Sequence, residues 1–173
     1  MSANPYASYV EGKDPLRVLA ATPRRIEELT EELGAERLDQ PYAPGKWSPR
    51  EILCHLTDSE LAFSFRARQA LAEENHVIQP FDQDKWAATY AVYEAHDALA
   101  LFCDARKWNM ALFRSLTPEQ KARAAVHPER GPLTVWTIVE TIAGHDLHHL
   151  QKLESIAADF APANLNKRST PEV

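Results

Sequence analysis

The sequence predicts an all-α protein, a four-helix bundle with short extra helices in the connections between the long ones. Four long segments repeat apolar residues with the helical period of about 3.6. Proline and glycine separate these segments, and neither strand-type alternation nor an internal repeat is found. A chain of 173 residues can bury about 70% of its unfolded surface in one core. We therefore expect one domain over residues 14–160, between an N-terminal tail at 1–13 and a C-terminal tail at 161–173.

The first two long helices are defined by their ends. From Asp14 the apolar spacing is helical as far as Gly34, which is well placed to stop the helix. Pro23 predicts a restart or a kink within it. The segment Ser48–Glu51 combines an N-cap serine, a proline at the first helical position and the reciprocal glutamate of a capping box. Helix two therefore begins here and is expected to run to about Glu73.

Two further long helices follow. Residues 84–93 predict a short helix or turn whose Trp86 and Tyr90 either roof a pocket or fill the core, with the core favoured. Helix three is expected over 94–116, where Arg106 on the apolar face is interpreted as an arginine that extends to solvent. A capped helical turn at 117–120 and a loop at 127–132 precede helix four, expected over 133–160.

Composition argues against several classes of protein. A formal net charge of −6 and a pI of about 5.6 disfavour a protein that wraps nucleic acid by neutralising phosphates. The sequence shows neither a secretory signal nor a run of about 18 apolar residues, so no membrane span is expected and a cytoplasmic location follows by default. Cys54 and Cys103 lack metal-like spacing, and so few cysteines suit a reducing compartment. We expect both thiols to be reduced.

Helix four carries three histidines and an aspartate in an otherwise apolar segment. At about 100° of rotation per residue, His145 and His149 share the apolar stripe with Ile142, whereas His148 points to its flank. Residues at i and i+4 lie one above the other, within reach of one ion. Either each imidazole hydrogen-bonds separately inside the core, or a metal binds both. A metal would offset the desolvation of two imidazoles together.

His55 is the third candidate ligand. It lies at the edge of the apolar stripe of helix two, about 60° from Ile52. Alone it would be interpreted as a half-exposed surface histidine. Facing helices of a bundle, however, supply ligands that no single helix can. His76 and His127 fall in predicted loops and are expected to be exposed, and whether they or His148 reach the pocket is left open.

Asp146 occupies the position that glutamate holds in H-E-x-x-H metalloproteases, between His145 and His149. There the carboxylate acts as general base, but aspartate is one methylene shorter. The helical wheel places Asp146 inside the apolar stripe, so we expect it to be buried and hydrogen-bonded. Orienting a histidine is favoured over direct catalysis as its role. With no edge strand to bind an extended peptide, a protease is not expected.

Two separated motifs resemble a known family. Pro44–Glu60 reads P-G-K-W-S-P-R-E-I-L-C-H-L-T-D-S-E, and Gly144–Leu153 reads G-H-D-L-H-H-L-Q-K-L. Together with F-D-Q-D-K-W at 81–86 and the proline-glycine loop before helix four, they resemble the DinB-like superfamily and, within it, the YfiT-type members. The resemblance spans roughly residues 15–160.

The resemblance implies a four-helix bundle, often homodimeric, with a divalent metal held by one histidine of the second helix and an H-x-x-x-H pair of the last. On this sequence it implies His55, His145 and His149, the same three that the helical wheel selects. Imidazole ligands suit several metals, with zinc or nickel expected.

The sequence therefore predicts a divalent-metal-dependent enzyme that acts on a small molecule. Three histidines leave at least one coordination position for water or a thiol. The family resemblance implies either a hydrolase or an S-transferase that uses a low-molecular-weight thiol as cosubstrate. The alternatives are a non-catalytic metal- or ligand-binding bundle related to stress, and a metal-free scaffold with a hydrogen-bonded histidine cluster. Neither a nucleic acid nor a membrane is expected as a partner.

Overall fold

The computed structural model describes residues 3–160 of the chain. Eight α-helices lie within that range. They are α1 Ala7–Val10, α2 Pro15–Leu33, α3 Ala35–Leu38, α4 Pro49–Ala72, α5 Gln83–Ala87, α6 Ala95–Ser115, α7 Pro118–Lys121 and α8 Val135–Asp159. A 3-10 turn covers Tyr90–Val92. The predicted C-terminal tail, 161–173, lies outside the described residues, and the predicted domain boundaries stay a prediction.

The predicted all-α four-helix bundle is confirmed. Helices α2, α4, α6 and α8 form it, with α2 packed against α6 and α8, and α4 packed against the same two helices. The predicted capping box is present at Ser48, whose hydroxyl accepts from the Glu51 amide while the Glu51 carboxylate accepts from the Ser48 amide at 2.7 Å. Helix α2 runs through Pro23 without a restart. No helix within residues 3–160 is long and apolar enough to cross a membrane.

A small three-stranded sheet corrects the expectation that strands are absent. Strand β1 covers His76–Val77, β2 covers Ala124–His127 and β3 covers Gly131–Thr134. Strand β2 is central, parallel to β1 and antiparallel to β3. His127 therefore lies in a strand and is buried, rather than in an exposed loop, and helix four begins at Val135. Strand β2 alternates in burial over only four residues, and strand β1 has only two residues. The partner of His76 is Ala125, far along the chain.

The segment expected as an N-terminal tail includes helix α1 and packs against the bundle. Helix α1 packs against α8, and Asn4 is buried. Gly144 permits this contact, because a Cβ atom there would lie 2.5 Å from the carbonyl oxygen of Tyr6. The segment therefore lies directly against the helix that carries the histidine pair.

A polar layer crosses the middle of the bundle between two apolar clusters. On α8 the residues up to Ala143 belong to one cluster and those from Leu153 onward to the other. Helices α2, α4 and α6 divide in the same way. The buried polar residues between the clusters are Thr22, His55, Ser59, Glu60, Arg106, Asn109, His145, Asp146 and His149. The candidate site is part of this layer.

Candidate metal centre

Three histidine side chains converge in the polar layer. His55 comes from α4, and His145 and His149 come from consecutive turns of α8. Each is at most 3% exposed, and one ring nitrogen of each lies within 4.8 Å of those of the other two. The Nε2 atoms of His55 and His145 are 2.9 Å apart. The structure thus brings together the three predicted ligands, and their binding of a metal stays a prediction.

Burial keeps these imidazoles neutral. Desolvation, with a smaller contribution from Lys152, lowers the pKa of His55 to about 4. Desolvation also lowers the pKa of His145 and of His149 well below the ordinary value, and the neighbouring imidazoles add to the effect. A neutral imidazole is the form that binds a metal ion.

The hydrogen bonding of the three rings fits a metal ligand set. Among the described residues, Nδ1 of His55 and Nδ1 of His149 are buried and have no hydrogen-bond partner. The pair of Nε2 atoms can share only one hydrogen bond, because one must donate and the other accept. Buried polar groups left without partners cost free energy. A divalent cation between the rings would replace the shared hydrogen bond of the two Nε2 atoms, since each neutral imidazole can offer it a lone pair.

Aromatic side chains surround the histidines. The ring centroid of Trp47 lies 4.8 Å from that of His55 and 6.4 Å from that of His149. The rings of Trp47 and His149 are nearly parallel, with 17° between their planes. Tyr6 packs edge-on against His145 at 5.3 Å. These apolar walls keep the dielectric constant low around the three rings, which strengthens any electrostatic interaction made there.

Asp146 is buried, as predicted, but its hydrogen bonds run to an arginine. Its two carboxylate oxygens accept from Nη1 and Nη2 of Arg106 at 2.6 and 3.2 Å. Arg106 also donates to Glu60 at 2.8 Å, and Asn109 donates to the other Glu60 oxygen at 2.7 Å. Burial raises the pKa of Asp146 to about 6, against the opposing effect of Arg106. The interpretation of Arg106 as extending to solvent was wrong, since it is 2% exposed and pairs with both carboxylates.

The remaining candidate histidines are not members of the three-nitrogen group, although the ring of His148 packs edge-on against that of His149 at 5.0 Å between centroids. His148 is half-buried and pairs with the Tyr9 hydroxyl at 2.8 Å. His76 pairs with Glu73 at 2.6 Å near the surface. His127 is 4% exposed and lines a cavity beside the cluster.

Sequence reasoning did not identify several residues around the cluster. Tyr6 and Trp47 contact the histidine rings, while Arg66 and Arg130 line the adjacent cavity. Trp47 directly precedes the helix-start motif, which was a usable signal. Tyr6 and Arg130 lie far from the histidines in sequence, so only the tertiary structure brings them to the site.

Comparisons with known proteins relate this chain to one family and to one solved fold. A model of the DinB superfamily matches residues 19–153. "Putative metal-dependent hydrolase OB0782" of Oceanobacillus iheyensis is 33% identical over 135 residues, 78% of each chain. "Putative metal-dependent hydrolase YfiT" of Bacillus subtilis is 28% identical over 151 residues, 85% of each chain. The solved structure of YfiT, described as "a probable metal-dependent hydrolase with an unusual four-helix bundle topology", has a TM-score of 0.78 at 26% identity and covers 83% of this chain and 84% of its own.

Proposed function

The chain belongs to the DinB superfamily, and from that premise and its three converging histidines we propose that it is a divalent-metal-dependent hydrolase of a small molecule. The observation that carries the proposal is the cluster of His55, His145 and His149. Its rings are neutral and buried, and two of their ring nitrogens lack hydrogen-bond partners within residues 3–160. The relatives named as metal-dependent hydrolases support the same reaction class.

In this proposal the three imidazoles hold the ion, with zinc or nickel as the metal. Three protein ligands leave a coordination position open, as in catalytic rather than structural sites. When bound, such an ion polarises a carbonyl or phosphoryl oxygen. Trp47 and Tyr6 shield the imidazoles from water on their flanks.

Asp146 is assigned a positioning role in this proposal. Both of its carboxylate oxygens accept hydrogen bonds from Arg106, which also contacts Glu60 of α4. The pair therefore links α8 to α6 and α4 one residue from His145. Such a link fixes the approach of the helices that supply the ligands.

The size of the adjoining cavity supports a small substrate. The cavity that His55 and His145 line has a volume of about 320 Å³. Pockets for small organic molecules begin at about 300 Å³.

Elemental analysis of protein purified without an affinity tag tests the metal site. Wild-type protein is expected to contain nearly one equivalent of metal, and the element found decides between zinc and nickel. His149→Ala is expected to lose the metal. His148→Ala is the matched control, because it removes the neighbouring imidazole that lies outside the cluster. Equal metal content in all three proteins, or none in wild type after incubation with zinc, would refute the site.

Turnover is tested next with ester and amide substrates, with and without a low-molecular-weight thiol. Hydrolysis that a chelator abolishes and zinc restores is the expected result. Turnover only in the presence of thiol would replace the hydrolase by the S-transferase. Tightly held metal without turnover of any substrate would favour the non-catalytic binding protein. The homodimer stays a prediction, which sedimentation equilibrium checks.

A further inference from the structure

The cavity beside the histidines has a charged wall. His55 and His145 line it, together with Arg66 of α4 and with His127 and Arg130 at the β2–β3 turn. We refer to it as the arginine pocket. Because it adjoins two of the three histidines, a molecule bound in it lies next to the candidate metal centre.

Arg66 is held in a fixed position. It is 7% exposed, and its Nη2 donates to the carbonyl oxygen of Gln79 at 2.8 Å. Its guanidinium carbon lies 5.3 Å from the ring centroid of Phe63 and 5.1 Å from that of Phe81. Contact with two rings and a carbonyl fixes the planar group before any ligand arrives, which reduces the entropy lost on binding.

The two arginines leave a positive charge in the pocket that is not neutralised. Within residues 3–160, neither Arg66 nor Arg130 forms an ion pair with a carboxylate. Burial, and then the charge of Arg130, lower the pKa of Arg66 to about 10, so it remains protonated near neutral pH. Glu129 also lines the pocket and its charge raises the pKa of His127, but it is exposed, and its single charge is fewer than the two charges of the arginines. An anion between the two guanidinium groups would relieve their repulsion.

His127 adds a neutral hydrogen-bond donor. Burial, followed by the charges of Arg130 and Arg66, lowers its pKa. Its Nδ1 accepts a hydrogen bond from the Glu129 amide at 3.2 Å. In a neutral imidazole with Nδ1 as acceptor, the proton must be on Nε2. His127 therefore presents an N–H group in the wall that both arginines share.

We propose that the arginine pocket binds the anionic group of a small organic acid, a carboxylate or a phosphate, through Arg66, Arg130 and His127. Guanidinium groups bind the oxygens of a planar carboxylate or of a tetrahedral phosphate with paired hydrogen bonds. The aromatic rings of Phe63 and Phe81 complete a pocket for an acid that also carries an apolar group. As an assignment of substrate class, the proposal rests on the proposed function, whereas the anion binding itself requires no metal.

Calorimetric titration of chelator-treated full-length protein tests the proposal with probes of matched shape. Phenylacetate, phenylacetamide and 2-phenylethylamine differ in charge, and phenyl phosphate distinguishes a phosphate from a carboxylate. Whichever of phenylacetate and phenyl phosphate has the higher affinity is expected to bind at least about tenfold more tightly than phenylacetamide. The amine is expected to bind most weakly. Arg130→Gln is expected to abolish this preference. Arg123→Gln, which changes an arginine outside the pocket just before β2, is expected to keep it.

Each other outcome has a distinct meaning. Equal affinity for anion and amide, or no measurable binding of either anion, overturns the proposal. So does a preference that Arg130→Gln leaves unchanged, with circular dichroism verifying that the variant is folded. If an anion binds only after zinc is added, its charged group binds the metal. The proposal that the arginine pocket binds anions by itself would then be refuted. Anion preference in a protein that never binds metal would refute the proposed hydrolase and leave the anion site in place.

Discussion

Replacing Arg106 with methionine removes the cation that bridges two carboxylates in the polar layer. Glu60 and Asp146 are each 1% exposed, and Arg106 contacts them at 2.8 and 2.6 Å. Methionine fills similar space without charge, so both carboxylates would be buried without their cation. Breaking a buried ion pair in this way costs about 3–5 kcal/mol of unfolding free energy. For a domain of this size the melting temperature should fall by roughly 6–20 °C.

Urea unfolding followed by circular dichroism measures the effect at two pH values. Arg106 lowers the pKa of Asp146, which burial raises to about 6, so removing the arginine raises that pKa further. In the folded variant Asp146 therefore binds a proton at a higher pH than in folded wild type. In both folded proteins it binds a proton at a higher pH than in the unfolded chain. The stability difference between wild type and Arg106→Met should therefore narrow between about pH 7 and about pH 4.

Arg24→Met is the control for loss of an arginine as such. Arg24 is exposed and pairs with Glu28 at 3.0 Å along one helix, so its replacement should cost less than about 0.5 kcal/mol. Similar losses in the two variants, or an Arg106→Met effect that does not change with pH, would refute the assignment of an ionised buried network.

Three other predictions follow from local geometry. Gly144→Ala places a Cβ atom 2.5 Å from the Tyr6 carbonyl oxygen, so amide hydrogen exchange in α1 should accelerate; unchanged exchange would show that the contact is not formed in solution. Burial, and then Glu27, raise the pKa of Cys103 to about 12, so its alkylation near neutral pH should be slower than that of an ordinary thiol of pKa about 8.5, and Glu27→Gln should accelerate it. Zinc at about 100 times its dissociation constant should stabilise wild type by about 2.7 kcal/mol and leave His149→Ala unchanged, as measured by thermal unfolding.

The helices and the histidine cluster could be predicted because their signals are local. The capping box at Ser48 lies within four residues, and the spacing of His145 and His149 puts both on one helix face by geometry alone. The prediction of His55 as a ligand had a weaker basis, because the sequence showed only its angle on the helical wheel of α4. The packing of α4 against α8 brings it into the cluster.

The remaining features depend on partners distant in the sequence. Arg106 could not be assigned from its own helix, since its two carboxylate partners come from α4 and α8. Strand β1 could not be recognised because two residues show no period, and their pairing with β2 is non-local. The burial of His127 follows from that same pairing, so the error about the sheet and the error about this histidine have one cause.

The contact between Tyr6 and Gly144 links two positions that would otherwise vary independently over evolutionary time. A mutation that adds a side chain at position 144 must be accompanied by a displaced N-terminal segment, since the atoms that such a side chain meets are the Tyr6 backbone and Cβ. A lineage that lost the segment would be released from this constraint and could accept alanine, which is intrinsically better in a helix. Within the superfamily, members whose N-terminal segment packs against this helix in the same way should therefore carry glycine directly before the first histidine of the pair.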